Sequence, residues 1–246
     1  MTDPAEPIEA SRPEPVTRAV MIHRWEDVTF VHWPHEAAEV QPLVPDGLVV
    51  ETFDGAAWVG LIPFRMRVRF PRVPIPWITF PETNVRTYVT GPDGGRGILF
   101  FSLEAARVSP VAVARASLAL PYMWADMDIQ RDGALLRYRS TRRVPGHRGA
   151  GTDIEIRPGP GIGSDRIPAF EDFLVSRFRL YTRHLGRLLS VDAEHEPWPL
   201  QQAEVVRLRQ DVIPADGLPS PRGDAIAHFS EGVTVRIGRP KVVRGT

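Results

Sequence analysis

Residues 79–104 constrain the fold of this chain more than any other stretch. Two runs rich in β-branched and aromatic residues, 79–90 and 98–104, flank a segment of glycine, proline and aspartate at 91–97. Extended backbone suits the two runs, and glycine and proline favour a turn between them. The pattern predicts a β-hairpin with a long loop, and we expect the rest of the fold to be organised around it.

The first strand of this hairpin carries its bulky polar side chains on one face. Successive side chains of a strand point to opposite faces, so every second residue shares a face. At roughly 3.3 Å per residue, Glu82 and Arg86 lie about 13 Å apart along the strand, which leaves room for a small ligand between them. The polar face carries Glu82, Asn84, Arg86 and Tyr88, and the opposite face carries Thr83, Val85, Thr87 and Val89.

Two interpretations of this polar face are open at the level of sequence. An antiparallel strand commonly turns one polar face to water, and the four side chains are then simply solvated. If the face is turned inward, burial would raise the pKa of Glu82, whereas a nearby Arg86 would lower it. A raised pKa suits a general acid or base, and a lowered pKa suits a clamp that holds a ligand.

The composition excludes several classes of function. The 246 residues have a net charge of zero, so no overall field attracts nucleic acid or an anionic membrane. The chain has no cysteine, which excludes disulfides, thiolate catalysis and cysteine-ligated metals. No apolar run is long enough to span a membrane, and the N-terminus lacks the pattern of a signal peptide, so we expect a cytoplasmic protein. We expect no cofactor, no nucleic-acid partner and no membrane contact, and a homo-oligomer is left open.

The use of lysine bears on the chemistry. Lys241 is the only lysine among 30 basic residues, and it stands near the C-terminus between Pro240 and Val242. A Schiff-base mechanism needs a lysine amine as its nucleophile. Imine chemistry is therefore not expected.

The remaining segments predict the fold class. Residues 1–20 combine proline, glutamate and serine with little to bury and predict a disordered lead, followed by a single domain over 21–242. Residues 109–120 have the capping pattern of a helix, and 168–184 have apolar residues at i, i+3 and i+4 spacing. With eight or more strands besides, this indicates an α+β fold: a bent antiparallel sheet closing into a cone-like β-barrel, with two long helices packed outside.

Three histidines and two glutamates near the start of the domain have some likeness to a metal site. His35 and Glu39 are four residues apart in a short predicted helix over 34–40 and share one of its faces. The histidines lack a recognised ligand spacing such as His-Glu-x-x-His, so we expect no metal. The group consists of His23, His32, His35, Glu36 and Glu39.

Several motifs resemble a known family. Together they cover about 21–240 in the right order and resemble the uncharacterised YqjF-like bacterial family, which is similar in fold to the acetoacetate decarboxylase-like superfamily. That superfamily has a cone-like antiparallel barrel with its pocket inside. The motifs are Phe-Asp-Gly-Ala-Ala-Trp-Val-Gly at 53–60, Phe-x-Glu-x-Asn-Val-Arg-Thr-Tyr-Val at 80–89, Gly-Ile-Leu-Phe-Phe-Ser-Leu at 97–103, Leu-Pro-Tyr at 120–122, Leu-Tyr-Thr-Arg at 180–183 and Pro-Trp-Pro-Leu-Gln at 197–201.

The resemblance implies a pocket but not a reaction. The decarboxylase family carries a pocket glutamate on the strand that corresponds to 82–88, and Glu82 is the matching position. Residues 121–123 match the place of the Schiff-base lysine, but this chain has Tyr122 there and no lysine. Tyr122 and Tyr88 are candidate hydrogen-bond donors to a bound carbonyl or carboxylate, or else buried tyrosines that bond to backbone. What transfers is the pocket rather than the chemistry.

Two functions of different classes follow from these observations. The first is a barrel that binds a small anionic or carbonyl-bearing molecule, as a non-imine enzyme or as a binding protein. Its candidate catalytic residue is Glu82, and its ligand-binding candidates are Asn84, Arg86, Tyr88 and Tyr122. The alternative is a non-catalytic scaffold or interaction protein with a filled barrel. A lysine-dependent decarboxylase is the least expected function.

Overall fold

Strands dominate the structure, a computed structural model that describes residues 15–74, 76–107, 120–163 and 167–244. Within these ranges the helices are α1 Ala37–Val40, α2 Ala169–Val175 and α3 Val212–Ala215, with one 3₁₀ turn at Gln41–Leu43. No helix in these ranges is long and apolar enough to cross a membrane. The strands are β1 Met21–His35, β2 Val49–Val50, β3 Thr52–Phe53, β4 Ala56–Arg69, β5 Ile78–Thr90, β6 Arg96–Ala105, β7 Tyr122–Asp132, β8 Leu135–Val144, β9 Gly151–Gly161, β10 Arg179–His184, β11 Arg187–His195, β12 Leu200–Gln210, β13 Ile226–Ile237 and β14 Lys241–Val242.

All fourteen strands belong to one sheet. Its order is β14-β11-β10-β6-β7-β8-β9-β12-β13-β1-β4-β5-β2, β3 pairs with β4, and additional pairs join β5 to β6 and β11 to β13. The pairs of β6 with β7 and with β10 are parallel, and the other pairs are antiparallel. Strand β5 therefore has its long edges hydrogen-bonded to β4 on one side and to β6 on the other.

The predicted hairpin is formed by β5 and β6. Their register runs from Glu82 opposite Ala105 to Thr90 opposite Arg96. Glycine is needed where the connecting loop enters β6, because β10 approaches it closely: a Cβ on Gly97 would lie 2.8 Å from the backbone carbonyl oxygen of Arg179. The loop is anchored there by the Tyr181 hydroxyl, which donates to the Gly95 carbonyl at 2.9 Å.

The apolar core has two parts, one on each face of β5. The first core contains Phe64, Tyr88 and Trp198, and the second contains Val85 and Val89. Neighbouring residues of β5 thus enter different cores, as the alternation of side chains along a strand requires. Because both faces pack against other elements, neither face of β5 is turned to water.

The predicted α+β barrel with two long helices is wrong: the described residues form a mostly β structure with three short helices. Segment 168–184 is helical only over α2 and continues as strand β10. Leu185 and Gly186, with φ of 48° and 74°, form the tight turn that pairs β10 with β11. The chain after α2 gains hydrogen bonds to two strands, which outweigh its helical spacing of apolar residues. The helix predicted at 109–120 lies outside the described residues apart from Leu120.

A buried ion network joins two strands of the sheet to the segment that follows α3. Arg142 on β8 is fully buried; its Nε donates to Glu104 Oε1 at 3.0 Å and its Nη1 donates to Asp216 Oδ1 at 2.8 Å. Glu104 belongs to β6, and Asp216 follows α3 directly. Two carboxylates thus share one buried guanidinium, and the loss of Arg142 leaves both of them without a cation.

We predict that Arg142→Met lowers the free energy of unfolding by about 3 to 5 kcal/mol, because it leaves two carboxylates buried without their cation. The matched control is Arg143→Met, which removes the solvent-exposed ion pair of Arg143 with Asp126 and costs less than about 1 kcal/mol. Urea unfolding measures both values. Equal effects of the two substitutions would show that the buried network does not hold the sheet together.

Candidate functional site

The polar side chains of β5 lie in the first core. Opposite them on β4 are Phe64, Ile62 and Gly60, which pair with positions 82, 84 and 86. Polar groups at this depth must find partners inside the protein or in a ligand. The set, called the polar row below, consists of Glu82 (2% exposed), Asn84 (4%), Arg86 (7%) and Tyr88 (0%).

Glu82 and Tyr122 form a hydrogen-bonded pair. The Tyr122 hydroxyl donates to Glu82 Oε2 at 2.9 Å. Tyr122 begins β7 beside Leu103, and Glu82 faces Ala105 on the strand between them. Tyr122 thus reaches across β6 to Glu82.

Burial decides the protonation of this pair. It raises the pKa of Glu82 to about 8, although the hydrogen bond from Tyr122 acts in the opposite direction. The pKa of Tyr122 is also raised, by burial first and by Glu82 second. Both groups are therefore mostly neutral at pH 7. Since Tyr122 donates to Oε2, the proton of Glu82 is available on Oε1 for another acceptor.

Arg86 is buried and has no carboxylate partner among the described residues. Its Nη2 donates to the carbonyl of Leu174 at 3.1 Å and lies 3.5 Å from the Tyr88 hydroxyl. Three arginines are buried in the part of the chain that the structure describes. The other two have acidic partners: Arg142 in the network above, and Arg177, whose Nη2 lies 3.1 Å from Glu51. Arg86 alone among these three forms no ion pair.

At the end of the polar row away from Glu82, Tyr88 is hydrogen-bonded to His32. The Tyr88 hydroxyl donates to the carbonyl of Leu174 at 2.6 Å and lies 2.6 Å from His32 Nε2. A hydroxyl has one proton, so His32 donates through Nε2 and its Nδ1 is an unprotonated acceptor. Burial lowers the pKa of His32, as does the charge of Arg86, so the ring is neutral.

The lack of a side chain at Gly60 leaves room for the ring of His32 beside Tyr88. In the register of three strands, Gly60 lies between His32 on β1 and Arg86 on β5. A Cβ on Gly60 would lie 2.8 Å from His32 Nε2 and 2.7 Å from Ile62. Sequence reasoning did not assign His32 to this site. The available signal was the glycine inside a continuous apolar strand, which often marks a close approach of another group.

Backbone carbonyls at the C-terminal end of α2 accept hydrogen bonds from side chains of the site. The last carbonyls of a helix have no partner within the helix. Here the carbonyl of Leu174 accepts from Arg86 and Tyr88, and that of Val175 accepts from Trp198 Nε1 at 3.1 Å. This short helix therefore sets the orientation of the guanidinium.

Aromatic side chains surround the Glu82 end of the polar row. Phe64, opposite Glu82, has its ring centroid 5.8 Å from that of Trp25, which stacks on Trp198 at 6.0 Å. These rings exclude water and account for the burial that raises the pKa of Glu82. Asn84, between the two ends, has a buried Oδ1 with no hydrogen-bond partner among the described residues.

The group of histidines and glutamates near the start of the domain does not assemble. His32 bonds to Tyr88, whereas His35 lines a separate surface pocket of about 220 Å³ with Glu36 and Glu39. No cluster of three or more ligating side chains suited to a metal occurs in the ranges that the structure describes. Lys241 is largely exposed on β14 and forms an ion pair with Asp192 at 2.6 Å.

Comparison with known proteins places the chain in a family. Residues 23–234 match the model of DUF2071, an uncharacterized conserved protein. The chain belongs to the DUF2071 family. It is also 35% identical over 215 residues to the uncharacterized protein YqjF of Bacillus subtilis (strain 168), a match that covers 86% of this chain and 88% of that protein. The YqjF-like membership predicted from the sequence is therefore confirmed.

Solved structures resemble the DUF2071 chain in fold. Acetoacetate decarboxylase from Legionella pneumophila has a TM-score of 0.63 and 13% identity, with 95% of this chain and 93% of that chain covered. The enduracididine biosynthesis enzyme MppR, complexed with pyruvate, has a TM-score of 0.65 and 13% identity, with 98% and 99% covered. The acetoacetate decarboxylase-like fold is thus confirmed. At such low identity the likeness shows the fold alone.

The state of Glu82 predicts a dependence of stability on pH. In the unfolded chain the carboxyl ionises near its usual pKa of 4.5, whereas in the folded protein it keeps its proton up to about pH 8. The folded state binds more protons in this window, so stability falls as pH rises from about 4.5 to 8. Glu82→Gln removes this loss. We expect the variant to gain on the order of 5 kcal/mol relative to wild type across the window.

Urea unfolding at a series of pH values from 5 to 9 measures this difference. The control is Glu231→Gln at an exposed position, which should follow the wild-type profile. If Glu82→Gln also follows the wild-type profile, Glu82 is ionised in the folded protein and the assigned proton is absent.

Proposed function

We propose that this protein binds a small carboxylate in its first core. Arg86 would hold the carboxylate, and Glu82, which accepts from Tyr122 at Oε2, would donate a hydrogen bond to a carbonyl oxygen elsewhere in the same ligand. The observation that carries this proposal is the ion pairing of the buried arginines. Arg142 and Arg177 have acidic partners, and Arg86 has none among the described residues.

The charge of Arg86 needs a partner for physical reasons. A guanidinium does not lose its proton in a protein, so it stays charged when it is buried. A buried charge without its counter-charge costs several kcal/mol. The carbonyl of Leu174 and the hydroxyl of Tyr88 supply dipoles but no negative charge. A ligand carboxylate would supply that charge through short, charge-assisted hydrogen bonds.

The neutral state of Glu82 favours the same class of ligand. An ionised Glu82 would repel a carboxylate, whereas a protonated one does not and can donate its own proton. Arg86 and a neutral Glu82 together leave the site with one positive charge, which suits a monoanion. The fold relatives are compatible with this class, since the MppR structure holds pyruvate, a small carboxylate.

The chemistry that these groups support is proton donation to a carbonyl. A buried donor aimed at the carbonyl oxygen polarises the carbonyl and stabilises negative charge that develops on it. A carboxyl with a pKa near neutral pH is also suited to transfer its proton as a general acid. The reaction would proceed without an imine, since Lys241 is at the surface in an ion pair with Asp192.

We predict that Arg86→Met abolishes carboxylate binding and leaves the unliganded protein as stable as wild type or more so, because a methionine removes the unpaired charge and keeps the volume. A thermal-shift screen against small carboxylates, keto acids and their uncharged amides measures binding. A ligand at about 100 times its dissociation constant adds roughly 2.7 kcal/mol, which raises the melting temperature by about 5 to 10 °C.

Two controls make this result decisive. Arg139→Met on the surface should keep the ligand shift, and Arg142→Met should lose stability because it breaks a real ion pair. The proposal fails if Arg86→Met destabilises the protein as much as Arg142→Met and no carboxylate stabilises wild type. Arg86 would then be a structural residue, and a scaffold with a filled core would be the better account.

A further inference from the structure

The ends of three strands meet beside one surface pocket. Ile22 at the start of β1 is opposite Arg69 at the end of β4. On the other side of β1, Met21 is opposite Ile237 at the end of β13. The residues before β1 and those after β4 and β13 are therefore neighbours in space. Arginine and apolar side chains from these three segments line a pocket of about 130 Å³: Arg18, Val20, Phe70, Arg72, Val73 and Arg239.

Each of the three segments contributes one arginine to this pocket. None of Arg18, Arg72 and Arg239 forms an ion pair in the part of the chain that the structure describes. A guanidinium keeps its proton in a protein, so the walls of the pocket carry three positive charges. A cleft lined by charges of one sign concentrates their field and attracts the opposite charge. The pocket is therefore suited to an anion.

The carboxylates of β11, whose end pairs with β13, already have cations of their own. Glu194 lies 3.5 Å from Arg236, and Asp192 lies 2.6 Å from Lys241. These two acidic side chains are thus engaged on the neighbouring strand. They do not balance the three arginines of the pocket.

We propose that this pocket binds the phosphate group of a small soluble phosphate monoester. The pocket is built from the segments around β1, β4 and β13 at the surface, whereas the polar row lies on β5 in the first core. The two sites are separate, so this inference does not depend on the proposed function.

The number and charge of the arginines favour phosphate over carboxylate. A phosphate monoester carries about −1.5 to −2 charges at pH 7 and has three oxygens that accept hydrogen bonds. Each guanidinium can bind such oxygens with two parallel N–H donors. A carboxylate has one charge and two oxygens, so it satisfies one guanidinium and leaves the other two without a partner.

The size and the walls of the pocket limit the ligand further. The volume of about 130 Å³ equals that of about four water molecules in the liquid, at roughly 30 Å³ each. This space suits one phosphate group rather than a nucleotide or a polyanionic chain. Phe70 and Val73 supply apolar wall beside the arginines. A carbon group attached to the phosphate packs against them and loses contact with water, which favours a monoester over free phosphate.

Calorimetric titration of the full chain in roughly 0.15 M salt tests the inference. The ligands are phenyl phosphate, inorganic phosphate and phthalate, an aromatic dicarboxylate of similar charge. Wild type should bind phenyl phosphate about tenfold or more tightly than phthalate. It should also bind phenyl phosphate more tightly than inorganic phosphate, because only the ester has a carbon group that reaches Phe70 and Val73.

Substitutions in the pocket place the binding site. Arg72→Gln and Arg239→Gln should each weaken the binding of phenyl phosphate about tenfold or more, because each removes one charged pair of donors. The matched control is Arg187→Gln at the start of β11, which removes an exposed arginine without an ion pair among the described residues. This variant should bind phenyl phosphate as wild type does.

Several results would overturn the inference. The pocket is not a phosphate site if phenyl phosphate does not bind to wild type, if phthalate binds as tightly, or if Arg72→Gln and Arg239→Gln bind as well as Arg187→Gln. Equal affinities for inorganic phosphate and phenyl phosphate would contradict the monoester. Binding to vesicles that contain phosphatidic acid, without binding to phenyl phosphate, would identify a lipid headgroup instead of a soluble compound.

Discussion

A guanidinium enclosed in a protein core keeps its charge, and the candidate site is arranged around that constraint. Arg86 is held by the carbonyl of Leu174 in α2 and by Tyr88, which His32 orients in turn. These contacts fix its direction without neutralising it. The two other buried arginines carry carboxylates, so a lack of suitable acidic residues in the core does not explain the difference. The arrangement is therefore one that a bound anion completes.

The strand that carries Arg86 owes its position to its neighbours. Strand β5 is hydrogen-bonded along both edges, so the row from Glu82 to Tyr88 is held rigidly. A small residue beside the row leaves room for a larger group: the ring of His32 occupies the space that a side chain at Gly60 would take. The same packing desolvates Glu82 and keeps it protonated. The packing that buries both faces of β5 is thus also what keeps Glu82 protonated.

The sequence alone predicted the local features of the site. The hairpin, the polar face and the candidate Tyr122 follow from alternation, turn composition and family motifs. Alternation could not show that both faces of β5 are buried, because that depends on strands far away in the chain. His32 was missed because its partner Tyr88 lies 56 positions away. Segment 168–184 was predicted as one helix because its apolar spacing fits 3.6 residues per turn, whereas the turn at Leu185 and Gly186 makes its second half a strand.

A crystal structure determined with a saturating small monocarboxylate tests the central claim most directly. The account predicts one carboxylate in the first core, with its oxygens about 2.7 to 3.0 Å from the guanidinium nitrogens of Arg86. The contrary result is an interior without ligand and carboxylates only at the surface. Such sites could include the pocket of about 130 Å³ lined by Arg18, Arg72 and Arg239. That result would show that the core tolerates the charge of Arg86 without an anion, and the carboxylate site would be withdrawn.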